Sequence, residues 1–293
     1  MMISVFGSAN MDLVAYTARA PQRGETVAGR AFATIPGGKG ANQATAAALA
    51  GADVAFFGAV GDDAFGPVLR RGLEAAGVDV RGLRTVAGSS GIAQIVVDDD
   101  GSNSIIVVPG ANGAVTGASA DDLEVIGRSD ALLLQLELPM AAVVATARAA
   151  GAPVVLTPSP VQELPGELLD AVTLIVPNEH EARAITGLAD PEEALGALLE
   201  RVPEAVVTLG SEGALYGSRA GERLHVPAVP VRAVDTTAAG DTFVGALCVA
   251  RAEGRSNAEA LRFAATAAAL SVQREGASTS MPARAEIDAA LTA

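Results

Sequence analysis

The chain has 293 residues, 20 Lys+Arg against 34 Asp+Glu for a formal charge of −14, 50% hydrophobic residues and no tryptophan. So acidic a chain disfavours nucleic acid and anionic membrane as partners, and its length is enough to bury a large core in one or two domains. No apolar run approaches the roughly 20 residues that span a bilayer, residues 1–6 read as a buried strand rather than a leader, and the single cysteine, Cys248, cannot make an intrachain disulfide, so the cytoplasm is the expected compartment.

Apolar runs at residues 3–6, 54–60, 131–136, 154–157, 174–176 and 206–209 read as buried parallel strands. Helical stretches at 40–50, 64–76, 140–150 and 178–186 separate them, which predicts an α/β fold: a mostly parallel sheet with right-handed crossovers and helices on both faces. From residue 239 onward the pattern is purely helical, at 239–252, 257–272 and 283–291, with Pro282 starting the last helix. Residues 13–34 and 80–108 break the rhythm with short strand-like pieces, and Asp99-Asp100-Gly101 is a hairpin signal between 91–98 and 104–108. They predict a small β-sheet projecting from one domain that spans 1–293, or else an edge hairpin. Cys248, among apolar neighbours, reads as an inert packed thiol.

Candidate chemistry follows the same order. Asn10 and Asp12 come just after the first strand, where an open parallel sheet places ligands. They suit hydroxyl groups, Asp12 accepting and Asn10 able to donate and accept, or they form a capped turn. Gly37-Gly38-Lys39-Gly40-Ala41-Asn42 sets small residues before a helix, so backbone can approach a ligand closely, but the GxxxxGK[ST] spacing of a P-loop is absent. Glu137 ends the strand at 131–136 and is either an exposed loop residue before Pro139 or a charge that something binds. Asn178 and the acidic residues of Asn178-Glu179-His180-Glu181 suit a helix start. His180 and His225 are too far apart in sequence to support a zinc centre.

The most informative run is Asp235-Thr236-Thr237-Ala238-Ala239-Gly240-Asp241-Thr242-Phe243. Small residues from Ala238 to Gly240 let amides close on an anion at the start of a helix. Asp241 is either a capping residue or a base that takes a proton from an attacking alcohol beside that anion. The second role implies phosphoryl transfer to a hydroxyl.

These blocks, with Gly61-Asp62-Asp63, Gln135-Leu136-Glu137 and Thr208-Leu209-Gly210-Ser211-Glu212-Gly213, occur in the order found in the ribokinase-like (PfkB) family of sugar and nucleoside kinases, which the chain resembles over nearly its whole length. The resemblance implies a three-layer α/β/α domain with a β-sheet lid over the sugar, often paired between two subunits, hence a homodimer. It implies ATP-dependent phosphorylation of D-ribose at O5, with Asp241 as base and Ala238, Ala239 and Gly240 in the anion hole. Asn10, Asp12, Gly38, Lys39, Asn42 and Glu137 would hold the sugar. Asn178 and Glu181 would arrange Mg²⁺ and the ATP phosphates, and Thr208, Gly210, Ser211 and Gly213 would belong to the nucleotide loop. Asp235 and Thr237, with Ser271, Arg274, Gly276 and Ser280, would surround an activating K⁺. Other acceptors used in the family are deoxyribose, fructose, sugar phosphates and nucleosides. Lys39 is the only lysine, and no arginine adjoins Asn10, Asp12 or Asn42 in sequence to hold a second phosphate. A sugar- or nucleotide-sensing protein without catalysis would most simply lack the base, and Asp241 is present. Val244 and Ala265 depart from the family pattern, in which a polar and a larger residue are expected.

Overall fold

The computed structural model describes residues 1–100 and 102–292, so Gly101 of the hairpin signal lies outside the described residues. The chain begins β1 (Met2–Phe6), β2 (Asn10–Thr17), β3 (Gly29–Gly37), α1 (Lys39–Leu49), β4 (Asp53–Gly61), α2 (Gly66–Ala75), β5 (Asp79–Val86), β6 (Gly91–Val97) and β7 (Asn103–Val108). It continues with α3 (Ala120–Ile126), β8 (Ala131–Leu134), α4 (Met140–Ala149), β9 (Val154–Leu156), α5 (Gly166–Ala171), β10 (Leu174–Ile175), α6 (Glu179–Thr186) and α7 (Pro191–Leu199). After β11 (Glu204–Thr208), β12 (Ala214–Ser218) and β13 (Arg223–Val226), three helices close the chain: α8 (Ala239–Ala252), α9 (Asn257–Ser271) and α10 (Arg284–Thr292).

A nine-stranded sheet runs β13-β12-β11-β10-β9-β8-β1-β4-β5, with every pairing parallel except those that β12 makes with β11 and β13. Neighbouring residues of its strands point to opposite faces. Leu133 joins a core with Phe243 and Leu261 of α8 and α9, while Leu132 and Leu134 join another with Val143, Leu168 and Leu195 of α4, α5 and α7. This is the expected three-layer arrangement. The four-stranded second sheet is β3-β2-β6-β7, with β2 and β6 parallel.

The strand content of 80–108 divides between the sheets, against expectation. β5 pairs with β4 at the edge of the large sheet, and only β6 and β7 join the small one. As an edge strand β5 is solvated on one side, and its alternation of buried Val80 and Leu83 with exposed Arg81 and Arg84 imitates a projecting hairpin. The antiparallel β12 and β13 are a further addition that apolar runs alone did not reveal.

Candidate active site

The sheet order divides at β1, which pairs with β4 on one side and with the much later β8 on the other. Such a switch point opens a crevice beyond the strand ends. Asn10 follows β1 and Glu137 follows β8, so the two face each other across it. The Asn10 amide nitrogen lies 3.5 Å from Glu137 Oε2. The same oxygen accepts from Ser8 Oγ at 2.5 Å and from the Lys39 backbone N–H, at the start of α1, at 3.0 Å. Glu137 is half-buried rather than an exposed loop residue, and a carboxylate is favourable at a helix N-terminus.

Gly38 and Gly40 let the start of α1 pack closely on the chain leaving β1. Gly38 has φ +91°, and a Cβ there would stand 2.7 Å from the Asn10 nitrogen. A Cβ on Gly40 would stand 2.6 Å from the Ser8 nitrogen. The helix start therefore rests on the chain leaving β1, and the Ala41 N–H donates to the Ser8 carbonyl at 2.9 Å. Gly245 does the same between helices: a Cβ there would lie 2.7 Å from Ala46 Cβ and 2.9 Å from the Gln43 carbonyl. This close crossing of α1 and α8 brings Asn42 and Gln43 onto Asp241.

Asp241 is buried in the first turn of α8. Asn42 Nδ2 donates to its Oδ2 at 3.1 Å and Gln43 Nε2 to its Oδ1 at 3.0 Å. Burial pushes its carboxyl up to about 6, against the Lys39 ammonium and the two amide donors, which pull it down. Gln43, to which the sequence assigned no role, also donates to Thr157 Oγ1 at 3.2 Å and accepts from Gln135 Nε2 at 2.6 Å. Its neighbours in sequence gave the only hint, since position 43 is one residue past Asn42 on a helix whose contact with α8 is a tertiary fact.

Asp12 lies in the same field. Burial first, then the Glu137 charge, pushes its carboxyl up to about 7, with Lys39 opposing. Burial acts to lower Lys39, but Asp241, Glu137, Glu181 and Asp12 outweigh it and raise its pKa, so the ammonium is charged. One cation thus stands among four carboxylates. The folded Asp12 titrates near 7 against an ordinary 3.8, so its contribution to stability is full below pH 3.8 and is lost as pH rises through about 7. Asp12→Asn is therefore expected to raise the melting temperature at pH 8, by about 2–4 °C for each kcal/mol relieved, with the gain vanishing at pH 4. Thermal scans at both pH values check it; no gain at pH 8 would mean that solvent or counterions already relieve the charge.

The helix start itself is an amide cradle. Ala238 has φ +58°, the only positive value at a non-glycine among the described residues, and such a left-handed alanine is strained. The Ala239 N–H is used in a turn to the Thr236 carbonyl at 3.2 Å. Those of Gly240 and Asp241 donate to no backbone carbonyl among the described residues. These two amides are left open at the start of α8.

Beside it lies a cavity of about 540 Å³, lined by Thr208, Gly210, Ser211 and Gly213 from one side and by Gly240, Phe243, Ala265 and Val272 from the other. Its walls are largely apolar and suit a flat base. Ala265, which leaves room there, belongs to this wall. Gly213 has φ +101°, and a Cβ would stand 2.7 Å from the Ala228 nitrogen, so close strand packing explains that glycine.

Asn178 and Glu181 form a reciprocal cap on α6. The Glu181 N–H donates to Asn178 Oδ1 at 2.8 Å and the Asn178 N–H to Glu181 Oε2 at 2.9 Å. Glu181 Oε1 keeps free acceptor capacity among the described residues and is near enough to be felt by Lys39. A hydrated Mg²⁺ needs few protein carboxylates, so this pair fits one beside a phosphate chain, and no group of three potential acidic, His or Cys ligands exists among the described residues.

Asp235 ties two segments together. Thr237 N–H and Oγ1 donate to its Oδ1 at 2.9 and 2.6 Å, and the Gly276 N–H to its Oδ2 at 2.9 Å. Burial acts to raise this carboxyl, but those hydrogen bonds hold it below its ordinary value. The Asp235, Thr237, Arg274 and Gly276 carbonyls accept no backbone hydrogen bond among the described residues, so a carbonyl-lined cation fits this loop. The Arg274 side chain pairs with Glu286. Ser271 and Ser280 side chains donate to the Ala268 and Ala277 carbonyls, at 2.8 and 2.7 Å, so any part these three play falls to their backbone.

The chain is similar in sequence and in fold to known carbohydrate kinases. Residues 1–284 match the family described as pfkB family carbohydrate kinase. The chain is 43% identical to a ribokinase of Bacillus subtilis over 296 residues, covering 99% of each. It superposes on an Arabidopsis thaliana ribokinase complexed with ribose and ATP with a TM-score of 0.93 and 37% identity, covering 99% of this chain and 98% of the other. A ribokinase from Thermotoga maritima gives 0.92 and 36%, with full coverage of both.

Proposed function

Because the chain belongs to the pfkB family of carbohydrate kinases, we propose that it is an ATP-dependent ribose kinase that phosphorylates O5 and uses Asp241 as the general base. The carrying observation is a buried carboxylate held by two amide donors and titrating near 6, at the mouth of an amide cradle and beside an apolar cavity. A base works best when its pKa lies near the operating pH.

In this reading Asp12, Glu137, Asn10 and Asn42 orient the sugar, with the backbone at Gly38 beneath it and its primary hydroxyl on Asp241. As the alcohol oxygen bonds to the γ-phosphorus, its proton passes to Asp241 and the bond to the ADP oxygen breaks. The Gly240 and Asp241 amides and the Lys39 ammonium face the charge on the transferring group. Adenine occupies the cavity between Gly210 and Ala265. Mg²⁺, arranged through Glu181 and Asn178, would offset charge on the ATP phosphates. A coupled ADP-release assay across ribose, deoxyribose, fructose, fructose phosphates and adenosine tests the reading. Ribose should give the highest kcat/KM, and turnover only with another acceptor would replace it.

K⁺ in the Asp235 loop would hold 235–237 against 274–276 and so stiffen the cradle without touching substrate. Potassium is then expected to raise turnover more than sugar affinity. Initial rates in potassium and in a bulky organic cation at equal ionic strength check this. Equal rates would leave the loop without a cation role, and a full potassium response in Asp235→Ala would mean the ligands are elsewhere.

The small sheet exposes β7 along its whole length, with Ile105 52% and Ile106 65% accessible, and Phe32 of β3 65%. An apolar open edge of this kind needs a cover, and a second copy of the chain supplies one, giving a homodimer with the sheet as lid. Light scattering should find a dimer at micromolar concentration; a strict monomer would remove the shared lid. No helix of the described residues is long and apolar enough to cross a membrane.

A further inference from the structure

Three strands of the small sheet are rooted at one point. Asn10 opens β2, Gly91 opens β6, and Asn112 lies in a short 3-10 helix, Gly110–Ala114, through which the chain returns from β7. Asn112 is 1% exposed and Asn10 2%. Asn112 Oδ1 accepts from the Ala9 N–H at 3.2 Å, and its Nδ2 donates to the Ala9 carbonyl at 3.3 Å. A backbone N–H can only donate and a backbone carbonyl can only accept, so this pair of bonds fixes which end of the Asn112 amide is which.

That orientation passes to Asn10. Asn112 Nδ2 also donates to Asn10 Oδ1 at 2.7 Å, so the oxygen of Asn10 is turned away and its NH₂ is directed toward Glu137. A free asparagine offers either a donor or an acceptor; here only the donor end is presented. Gly91 is an independent sign that the fold keeps this contact: a Cβ there would collide with both Asn112 Nδ2 and Asn10 Oδ1. The glycine leaves the space through which the two amides meet.

We propose that Asn112 is a positioning residue that locks Asn10 as a hydrogen-bond donor, so that with the Glu137 carboxylate it selects a sugar hydroxyl, a group able to accept from one and donate to the other. This rests on the sugar-kinase reading above. A sugar lacking that hydroxyl forgoes both bonds, one to the buried Asn10 donor and one to the half-buried Glu137 carboxylate, the kind of difference by which polar sites discriminate.

The test is a double-mutant cycle on the full-length protein with Asn112→Asp and Asn10→Ala, reading KM for sugar, KM for ATP and kcat. Asp at 112 keeps the acceptor for the Ala9 N–H but removes the donor that held Asn10 Oδ1. Each single variant is expected to raise the sugar KM about tenfold, the scale of one hydrogen bond, and to lower the preference for ribose over 2-deoxyribose and over its pentose epimers. ATP KM and kcat should stay within about twofold. In the Asn10→Ala background the Asn112 change should add nothing to the sugar KM, since coupled residues are not additive. Additive effects, or an equal loss in kcat and both KM values, overturn the proposal. If Asn112→Asp does not fold, Asn112→Ser is run through the same cycle. Should the wild type act on a different sugar, the ribose reading falls, while the cycle on that sugar still decides the role of Asn112.

Discussion

Asp241→Asn is expected to lower turnover by about 10²–10⁴-fold, the usual worth of a general base, while ATP still binds. The cavity and the Gly240 amide do not involve the Asp241 side chain, so nucleotide affinity should change little. The substitution also disturbs local hydrogen bonding. Asn42 and Gln43 both donate to Asp241, and an asparagine can accept with only one end, leaving one donor facing its NH₂. Against that stands the loss of a buried charge, whose burial already raises the wild-type carboxyl to about 6. The two effects oppose each other in stability but not in catalysis. Wild-type kcat should fall as pH drops through about 6, where Asp241 takes up a proton, and the residual rate of the variant should not follow that limb. Turnover, pH profile and nucleotide affinity are to be measured on the same preparation. Retained turnover would remove Asp241 from the mechanism.

What the sequence made legible was whatever is written locally. Buried strands are apolar runs, and a helix start with small residues and an acid reads as a cradle with a base. Asn10, Asp12, Lys39, Asn42, Glu137 and Asp241 are all brought to one crevice, because each follows a strand end or opens a helix beside it. The roles of Gln43 and Asn112 were not legible. Both act through tertiary contacts: Gln43 through a helix crossing permitted by Gly245, and Asn112 through a turn 103 residues from Ala9 in sequence. A side-chain amide carries no local mark of the partner that orients it. Glycine was legible as a need for space but not as to what fills it. At Gly38, Gly40 and Gly213 the neighbour is the protein's own backbone. The edge strand β5 misled for a related reason, since half-solvation looks the same on a projecting hairpin and at the margin of a large sheet.

Lys39→Met is expected to lower turnover by about 10²–10³-fold, the scale for removing one donor that faces developing charge, and to move the acid limb of the pH profile above 6. The direction follows from its surroundings. The ammonium lowers the Asp241 carboxyl, second in size only to the opposing effect of burial, and it does the same for Asp12. Without it, Asp12, Glu137 and Asp241 are left facing one another with no lysine elsewhere in the chain to replace the charge. Asp241 then ionises at higher pH, so less of it is a base at pH 7, and raising the pH to 9 should recover part of the loss. The unrecovered part measures the cation's interaction with the transferring phosphoryl group, which no change of pH restores. Lys39→Arg separates charge from shape: it should keep the acid limb near its wild-type position while losing rate, because a planar fork does not fit where a compact ammonium stood. An acid limb unmoved in Lys39→Met would mean that the lysine does not set the charge state of the base, and a full recovery of rate at pH 9 would mean that it does nothing else.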